Sequence, residues 1–287
     1  MYPTFIEIGP VPIHAYGFMM ATAFVTGMYL LRRQASKDGI NPDIIGDGTF
    51  WALIIGLIGS RIAHIIMFPD HYSWKDPRGW IAIWQGGLVF QGALPFGLAF
   101  IYYWARRHKI GLLYLLDFSV PVVALGHGIG RLGCFFNGCC YGGTTDSFLG
   151  VSFPRVPKDL SLSATGSPAY WDHLRRGLID DGALSSLPIH PTQLYSAAGL
   201  VLISFALFYL RKNWRPFDGS ILAAYLMFYG VFRFLLEMVR ADHNPTHLGT
   251  FTDQQAISML LFTLGVIILI VFRGRGSKFT PAADPSG

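Results

Sequence analysis

Seven long apolar segments dominate this sequence and restrict what it can fold into. Each is about 20 residues long with few charges, which is the length a helix needs to cross the hydrocarbon core of a bilayer. The segments are residues 11–31, 49–68, 86–104, 112–136, 191–210, 219–239 and 255–272. The sequence therefore predicts an all-α polytopic membrane protein with seven transmembrane helices.

The composition excludes several other classes of protein. Apolar residues make up 52% of the 287 residues and charged residues only 14%, whereas a soluble globular protein carries roughly 25% charged residues. A disordered chain or a nucleic-acid-binding surface fits this composition poorly. We therefore expect the lipid bilayer, and no nucleic acid, as a partner.

The positions of the basic residues predict the orientation of the chain. Lys and Arg cluster directly after the first, third, fifth and seventh segments, and basic residues collect on the cytoplasmic side of membrane proteins. We expect the N-terminus outside and the C-terminus inside. The chain, residues 1–287, is then one transmembrane domain with a disordered cytoplasmic tail at 277–287.

The longest connection, residues 141–190, lies between the fourth and fifth segments. It is polar, rich in Pro, Ser and Gly, and too long for a plain linker. We expect it to form a small external cap that contains a short helix at 168–178.

Three arginines lie inside predicted spans: Arg61, Arg131 and Arg233. An ionisable group there costs at least about 2.5–3.5 kcal/mol and usually marks function. Their positions place all three roughly 8–11 Å below the outer surface. Only Glu237 and Asp117 offer carboxylates inside the spans. Arg233 could simply pair with Glu237, but the excess positive charge favours an anion such as a lipid phosphate, which suits the planar Arg fork.

Further polar residues share this outer half. Tyr229, Arg233, Glu237 and Arg240 follow one another at helical spacing and form one face. The others are His14, Tyr16, Gln91, Asn137, His190 and Gln193.

The fourth segment contains glycines and is followed by cysteines. Residues 128–133 match G-x-G-x-x-G, but no strand or βαβ unit surrounds them, so a nucleotide site is excluded. We expect these glycines to leave an open niche around Arg131. The spacing of Cys134, Cys139 and Cys140 is not typical of zinc, and small apolar packing is favoured over a catalytic thiol. A disulfide to Cys134 stays open.

The stretch GHGIGRLGCFFNGCCYG at 126–142 resembles the signature of the bacterial prolipoprotein diacylglyceryl transferase family, whose pattern is close to G-x-GRxGNFxNxE. Supporting matches run in order from residue 13 to about 240. They are His14-Ala-Tyr16-Gly17, Gly59-Ser-Arg61-Ile62, Trp84-Gln-Gly-Gly, His190-Pro-x-Gln193-x-Tyr195 and Tyr229-Gly230-x-x-Arg233-x-x-x-Glu237.

The resemblance implies transfer of the diacylglyceryl group of phosphatidylglycerol to the lipobox cysteine of prolipoprotein signal peptides. A thioether forms and glycerol phosphate leaves, with no cofactor or metal required. We expect catalytic roles for Arg131, Arg233, His14, Tyr16 and Glu237. We expect substrate contacts from Arg61, Gln91, Asn137, His190, Gln193, Tyr229 and Arg240.

This sequence departs from the family pattern at three positions. Gln91 stands where the family often has a histidine that is assigned the role of base, and Gln cannot take a proton at neutral pH. Cys134 replaces an Asn and Cys139 replaces an acid. The proton acceptor could therefore be His14, His190 or Glu237, or the reaction could proceed without a dedicated base.

Two other functions are compatible with the same residues. A paralogous lipid-head-group transferase could use another donor or acceptor. An anion or lipid transporter could also place arginines within the membrane, but transport needs access from both sides, and the polar residues here collect in the outer half.

Overall fold

The structure is a computed structural model that describes residues 4–8, 11–72, 78–81, 86–155, 167–240 and 251–274. It is predominantly α-helical, with one short antiparallel hairpin of β1 (Thr4–Ile8) and β2 (Val11–His14). The helices in the described ranges are α1 (Ala15–Lys37), α2 (Pro42–Met67), α3 (Arg78–Ile81), α4 (Phe90–Arg107), α5 (Leu112–Asn137), α6 (Pro168–Arg175), α7 (Thr192–Asn213), α8 (Ser220–Glu237) and α9 (Asp253–Phe272).

Each of the seven predicted apolar segments corresponds to a long helix. Five of the described helices, α2, α5, α7, α8 and α9, are long and apolar enough to cross a membrane. The other two, α1 and α4, both end in basic residues, which lowers their mean hydropathy. The prediction of a multi-pass helical membrane protein is confirmed, whereas the count of seven spans and the orientation stay predictions.

The first predicted segment was placed too early in the chain. Residues 11–14 form β2 and pair with β1, so α1 begins only at Ala15. The second helix begins before the predicted position, at Pro42. Proline is favoured at the first position of a helix, and the Asn41 side chain caps this end by accepting a hydrogen bond from the Asp43 N–H at 2.8 Å.

The described chain divides into two compact units, which we describe separately. The first contains the described residues up to Gly27 and those from Asp117 onward. The second contains the described residues between Met28 and Leu116. Most of the predicted site residues belong to the first unit, and Arg61 and Gln91 belong to the second.

In the second unit, α2 and α4 pack closely because two glycines face each other. A Cβ atom on Gly92 would lie 2.1 Å from the carbonyl oxygen of Gly59, and one on Gly59 would lie 2.5 Å from the ring of Phe96. Small residues permit this backbone approach in membrane helices, where packing rather than hydrophobicity drives association.

In the first unit, α5, α7 and α8 surround an apolar core. Its buried members are Val120, Ala124, Leu207, Ile221 and Ala224. The fully buried carboxylate of Asp117 accepts hydrogen bonds from the N–H groups of Gly219 and Leu222 at 2.8 and 2.7 Å. Asp117 thus satisfies free donors at the start of α8, which gives this carboxylate a structural role in the fold.

The connection between α5 and α7 has its own small core. Tyr141, Phe153, Ala169 and Ile189 pack together, and α6 supplies one of them. Isolated β-bridges join Thr144 and Val151 to Ile189. The short helix predicted at 168–178 is present as α6 but ends at Arg175, whereas the predicted disordered tail at 277–287 lies outside the described residues.

The Gly59–Gly92 contact yields a test of the helix packing. Gly92→Ala should lower the free energy of unfolding by about 1–3 kcal/mol, because the added methyl group has no room between α2 and α4. Gly97→Ala is the matched control on the same helix, since a Cβ there would meet nothing within 4 Å. Thermal unfolding in detergent measures both, and equal stability of the two variants would contradict this packing.

Candidate active site

His127 is the centre of the polar cluster in the first unit. It lies one turn before Arg131 on α5, and the Arg131 Nε–H donates a hydrogen bond to His127 Nε2 at 3.2 Å. The Tyr229 ring on α8 lies 5.9 Å from the imidazole, and Arg131 and Arg233 are both within electrostatic range of it. Because Nε2 accepts from Arg131, this imidazole is neutral. The structure therefore brings the predicted residues Arg131, Arg233 and Tyr229 together.

Arg233 and Glu237 form a buried ion pair one turn apart on α8. The other carboxylate oxygen of Glu237 accepts a hydrogen bond from Thr252 Oγ1 at 3.1 Å. Thr252 is also the N-cap of α9, where it forms a capping box with Gln255. Both oxygens of Glu237 are thus engaged, which is the condition under which a buried charge is tolerated.

Arg131 differs from Arg233 in its partners. Within the described ranges, its one hydrogen bond is to the neutral His127, and no carboxylate pairs with it. The cluster therefore holds two guanidinium groups and the single carboxylate of Glu237, with a net positive charge. A net positive, partly buried cluster is suited to bind an anion, and Arg matches the geometry of phosphate oxygens.

Two glycines of α5 are close packing contacts, so the expected opening is absent beside Gly128 and Gly133. A Cβ on Gly133 would lie 3.2 Å from both Tyr16 and Met19 of α1, and one on Gly128 would lie 3.2 Å from the backbone of α7 at Ala197. The glycines thus let α1 and α7 approach the helix that carries Arg131. The partly exposed Tyr16 is placed beside α5 by this contact.

Other predicted residues lie at the C-terminal end of α5, at the N-terminal end of α7 and at the end of the hairpin. Asn137 is the last residue of α5, and His190 immediately precedes Pro191 and α7. His190 Nδ1 lies 3.4 Å from the Tyr195 hydroxyl. The buried atom His14 Nδ1 has no hydrogen-bond partner among the described residues, and neither has Gln193 Oε1. An unpartnered buried polar atom costs about 1–3 kcal/mol, so both are candidates for contact with a ligand or water.

The turn after α5 is tied to both α7 and α8. Gly142 N–H donates to the His190 carbonyl oxygen at 2.9 Å, and Gly143 N–H donates to the Val239 carbonyl oxygen at 3.0 Å. Arg240 pairs with Gly142 in an isolated bridge. This pairing holds His190 and Arg240 on either side of the same turn.

The three cysteines form one cluster. They are free thiols of intermediate burial, and their sulfur atoms all lie within 4.8 Å of one another. Hydrogen bonds from the Cys134 and Cys139 thiols lower the pKa of the Cys140 thiol, and the Arg131 and Arg240 guanidinium groups add to this lowering. Hydrogen bonding with Cys134 raises the pKa of Cys139. The expectation of small apolar packing for these cysteines stays a prediction.

In the second unit, Arg61 is buried, and its side chain is hydrogen-bonded to backbone carbonyl groups. Its guanidinium group donates to the carbonyl oxygens of Gly86 and Gly87 at 2.8 and 3.0 Å, and also to those of Gly79 and Trp80. The Tyr72 ring lies 5.0 Å from its Cζ atom. These contacts give Arg61 a role in holding the connection between α2 and α4. Its predicted role in substrate binding stays a prediction.

Gln91 is the second residue of α4 and is exposed. It precedes Gly92, which packs against α2, so its position is fixed by the Gly59–Gly92 contact. Its predicted contact with substrate stays a prediction.

Sequence reasoning missed two residues of the polar cluster. His127 is not among the site residues predicted from the sequence, although its spacing of four from Arg131 on one helix could have indicated the hydrogen bond. Thr252 reaches Glu237 from a different helix, and no local spacing signals that contact.

The fold and this cluster define a multi-pass helical membrane protein with a positively charged, partly buried site between its helices. Residues 3–271 match the profile of the family described as prolipoprotein diacylglyceryl transferase. The chain belongs to this family, which confirms the resemblance seen in its motifs.

Several curated relatives align over nearly the whole chain. A protein of Xylella fastidiosa (strain 9a5c) is 33% identical over 277 residues, which cover 93% of this chain and 91% of the relative. Relatives from Stenotrophomonas maltophilia (strain R551-3) and Xanthomonas euvesicatoria pv. vesicatoria (strain 85-10) are each 30% identical, and the alignments cover 94% of this chain and 92% and 91% of the relatives. All three are named phosphatidylglycerol–prolipoprotein diacylglyceryl transferase.

The Glu237–Thr252 contact yields a test of the cluster. Thr252→Val should lower the free energy of unfolding by at least about 1 kcal/mol, because it removes both the cap of α9 and a donor to a buried carboxylate. Thr263→Val is the matched control, since its hydroxyl bonds only within α9 and is exposed. Thermal unfolding in detergent measures the stability of both variants. Equal stability of the two would contradict the contact between Thr252 and Glu237.

Proposed function

We propose that this chain transfers the diacylglyceryl group of phosphatidylglycerol to the lipobox cysteine of a prolipoprotein, forms a thioether and releases glycerol phosphate. The observation that carries the proposal is the pair of guanidinium groups, Arg131 and Arg233, around the neutral His127. This cluster belongs to a chain of the transferase family.

The reaction places new charge where these arginines can stabilise it. The thiol sulfur displaces the phosphate from the glyceryl carbon, so the carbon–oxygen bond breaks and its electron pair stays on the phosphate oxygen. The phosphodiester monoanion thus becomes a phosphomonoester dianion. Hydrogen-bond donors already in place stabilise such developing charge, above all in a medium of low dielectric.

The two arginines have different parts in this proposal. Arg233 is held by Glu237 and supplies a fixed positive charge in the wall of the site. Arg131 is held through Nε alone, which leaves the terminal nitrogens of its fork for two phosphate oxygens. His127 is then a positioning residue that sets the direction of the Arg131 fork.

The contacts in the first unit favour His14 and His190 over Glu237 as the proton acceptor. Glu237 is engaged on both oxygens, so it would have to give up Arg233 or Thr252 before it could take a proton. His14 retains a buried ring nitrogen without a described partner, and His190 faces the Tyr195 hydroxyl. Of the acceptors predicted from the sequence, these histidines fit better than the carboxylate.

The orientation in the membrane belongs to the same proposal. Seven spans with the N-terminus outside place the ends of α5 and α8 that carry Arg131 and Arg233 in the outer half of a bacterial inner membrane, and the cap at 141–190 in the periplasm. The clusters of Lys and Arg at the C-terminal ends of α1, α4, α7 and α9 support this orientation. Phosphatidylglycerol of the outer leaflet and a signal peptide could then both reach the cluster.

Arg131→Lys tests whether the fork is required. We expect kcat/KM for transfer to fall by about 100- to 1,000-fold, because a single ammonium group cannot replace a bidentate contact in the transition state. The measurement is the mass gain of one diacylglyceryl unit on a lipobox peptide incubated with the purified protein and phosphatidylglycerol. Arg106→Lys, at the exposed end of α4, is the control.

Near-normal transfer by Arg131→Lys would contradict the assignment of this cluster as the active site. Uptake of a radiolabelled anion by vesicles that contain the protein, with no adduct on the peptide, would instead favour a transporter.

Gln91→Ala tests the position at which the family often has a histidine. We expect this variant to keep part of its transfer activity, because an amide can position a substrate but cannot remove its proton. The same peptide assay measures it, together with expression level. Complete loss of transfer at normal expression would show that Gln91 is essential to the reaction.

A further inference from the structure

The three cysteines are brought together by a turn that departs from ordinary helix geometry. Cys134 lies in the last turn of α5, and the chain leaves the helix at Asn137. Gly138 and Cys140 then both have a positive φ, of 70° and 60°. The Cys139 N–H donates back to the Cys134 carbonyl oxygen at 3.1 Å, so the turn folds onto the helix end and gathers the sulfurs.

This conformation is held by buried side chains of α7. Gln193 Nε2 donates to the Cys139 carbonyl oxygen and Thr192 Oγ1 to that of Cys140, both at 2.8 Å. A non-glycine residue in the left-handed region costs on the order of 1–3 kcal/mol and persists only where its surroundings fix it. The protein thus maintains a strained backbone at the one place that clusters its thiols.

The cluster has the donor atoms of a thiolate metal site, and the distances between its sulfur atoms suit one, although the cysteines lack a typical zinc spacing in the sequence. Tetrahedral zinc with bonds of about 2.3 Å to sulfur requires sulfur atoms about 3.8 Å apart. The three sulfurs already lie within 4.8 Å of one another, and side-chain rotation can close the difference. Among the described residues, they are the group that could hold a metal ion.

The neighbouring charges are compatible with a divalent cation. Three thiolates carry three negative charges, so a bound Zn²⁺ leaves the site with a net charge of minus one. Arg131 and Arg240 are close enough to Cys140 to interact with it electrostatically. Their positive charges balance the remaining negative charge.

We propose that Cys134, Cys139 and Cys140 bind one Zn²⁺ ion and that its open fourth position takes the lipobox thiol of the substrate. Catalytic zinc typically has three protein ligands and an open position, whereas structural zinc has four. This inference rests on the transferase function proposed above. It explains how a chain with Gln91 in place of a histidine could activate a thiol.

The step balances without any further reagent. The lipobox thiol binds zinc as a thiolate and loses its proton to water, because a coordinating thiol is deprotonated. Its sulfur then attacks the glyceryl carbon, the carbon–oxygen bond breaks, and the electron pair stays on the phosphate that Arg131 binds. The product is a neutral thioether, which is a weaker ligand than a thiolate and therefore leaves the metal.

Metal analysis of the intact protein gives the first test. Full-length protein purified in detergent with a reductant, and then incubated with Zn²⁺ and desalted, should retain one zinc ion per chain. Each of the variants Cys134→Ser, Cys139→Ser and Cys140→Ser should lose it, while Arg106→Lys should keep it. Absence of stoichiometric zinc, or a disulfide between two of these cysteines in the reduced preparation, would overturn the proposal.

Cobalt substitution tests the metal site in the unmutated protein, so the result cannot be obscured by misfolding of a variant. The protein loaded with Co²⁺ should show sulfur-to-cobalt charge-transfer absorption and the visible bands of a tetrahedral site. A lipobox peptide should shift these bands without phosphatidylglycerol present, and a peptide with Ser in place of the lipobox Cys should not. If both peptides leave the spectrum unchanged, the open position does not take the thiol and the proposal fails.

Activity separates this inference from the proposed function. Zinc-free protein should lose transfer activity and regain it with one equivalent of Zn²⁺. Full transfer by zinc-free protein in the presence of a chelator would overturn the metal site and leave the transferase function intact. Zinc-loaded protein that binds the peptide thiol but never forms the diacylglyceryl adduct would overturn the transferase function instead.

Discussion

Two guanidinium groups between apolar helices, of which Arg233 is buried and Arg131 half-buried, are the constraint on which the first unit depends. A charge in such a place is tolerated only when it is paired and hydrogen-bonded. Arg233 meets this condition through Glu237, and Glu237 meets it through Thr252 at the start of α9. The hydrogen bond from Thr252 to the ion-paired Glu237 therefore links the end of α8 to the start of α9. Arg131 meets the condition only in part, and this leaves the cluster with positive charge for a ligand.

The second unit satisfies its buried arginine differently. Arg61 donates to backbone carbonyl oxygens of the connection that follows α2. The same residue type, at a similar expected depth, thus stabilises a loop in one unit and belongs to a positively charged cluster in the other. The difference lies in the acceptors that each fold provides, since carbonyl oxygens engage all three nitrogens of Arg61, whereas the imidazole of His127 engages only Nε of Arg131.

Features encoded by local pattern could be predicted from the sequence. The apolar segment at 112–136 became α5 at Leu112–Asn137, and the face of Tyr229, Arg233 and Glu237 became one side of α8. The start of α1 could not be predicted, because pairing of β2 with β1 competes with helix formation at residues 11–14. The cysteine cluster could not be predicted either, because the positions of its sulfur atoms depend on a left-handed turn at Cys140 that no spacing rule describes.

The glycines of α5 show why a motif needs its structural context. Their spacing suggested space around Arg131, yet Gly128 and Gly133 lie close to α7 and α1. These two glycines allow close approach of the helices, so that Tyr16 and the part of α7 near Ala197 lie against the helix that carries Arg131. Close packing at these glycines thus positions the helices around Arg131.

A structure of the protein with phosphatidylglycerol bound tests the central claim most directly. The account predicts that the lipid phosphate accepts hydrogen bonds from the terminal nitrogens of Arg131, with Arg233 beside it and Glu237 still paired. A head group bound elsewhere, with the Arg131 fork turned away from it, would contradict the assignment of this cluster as the site of transfer.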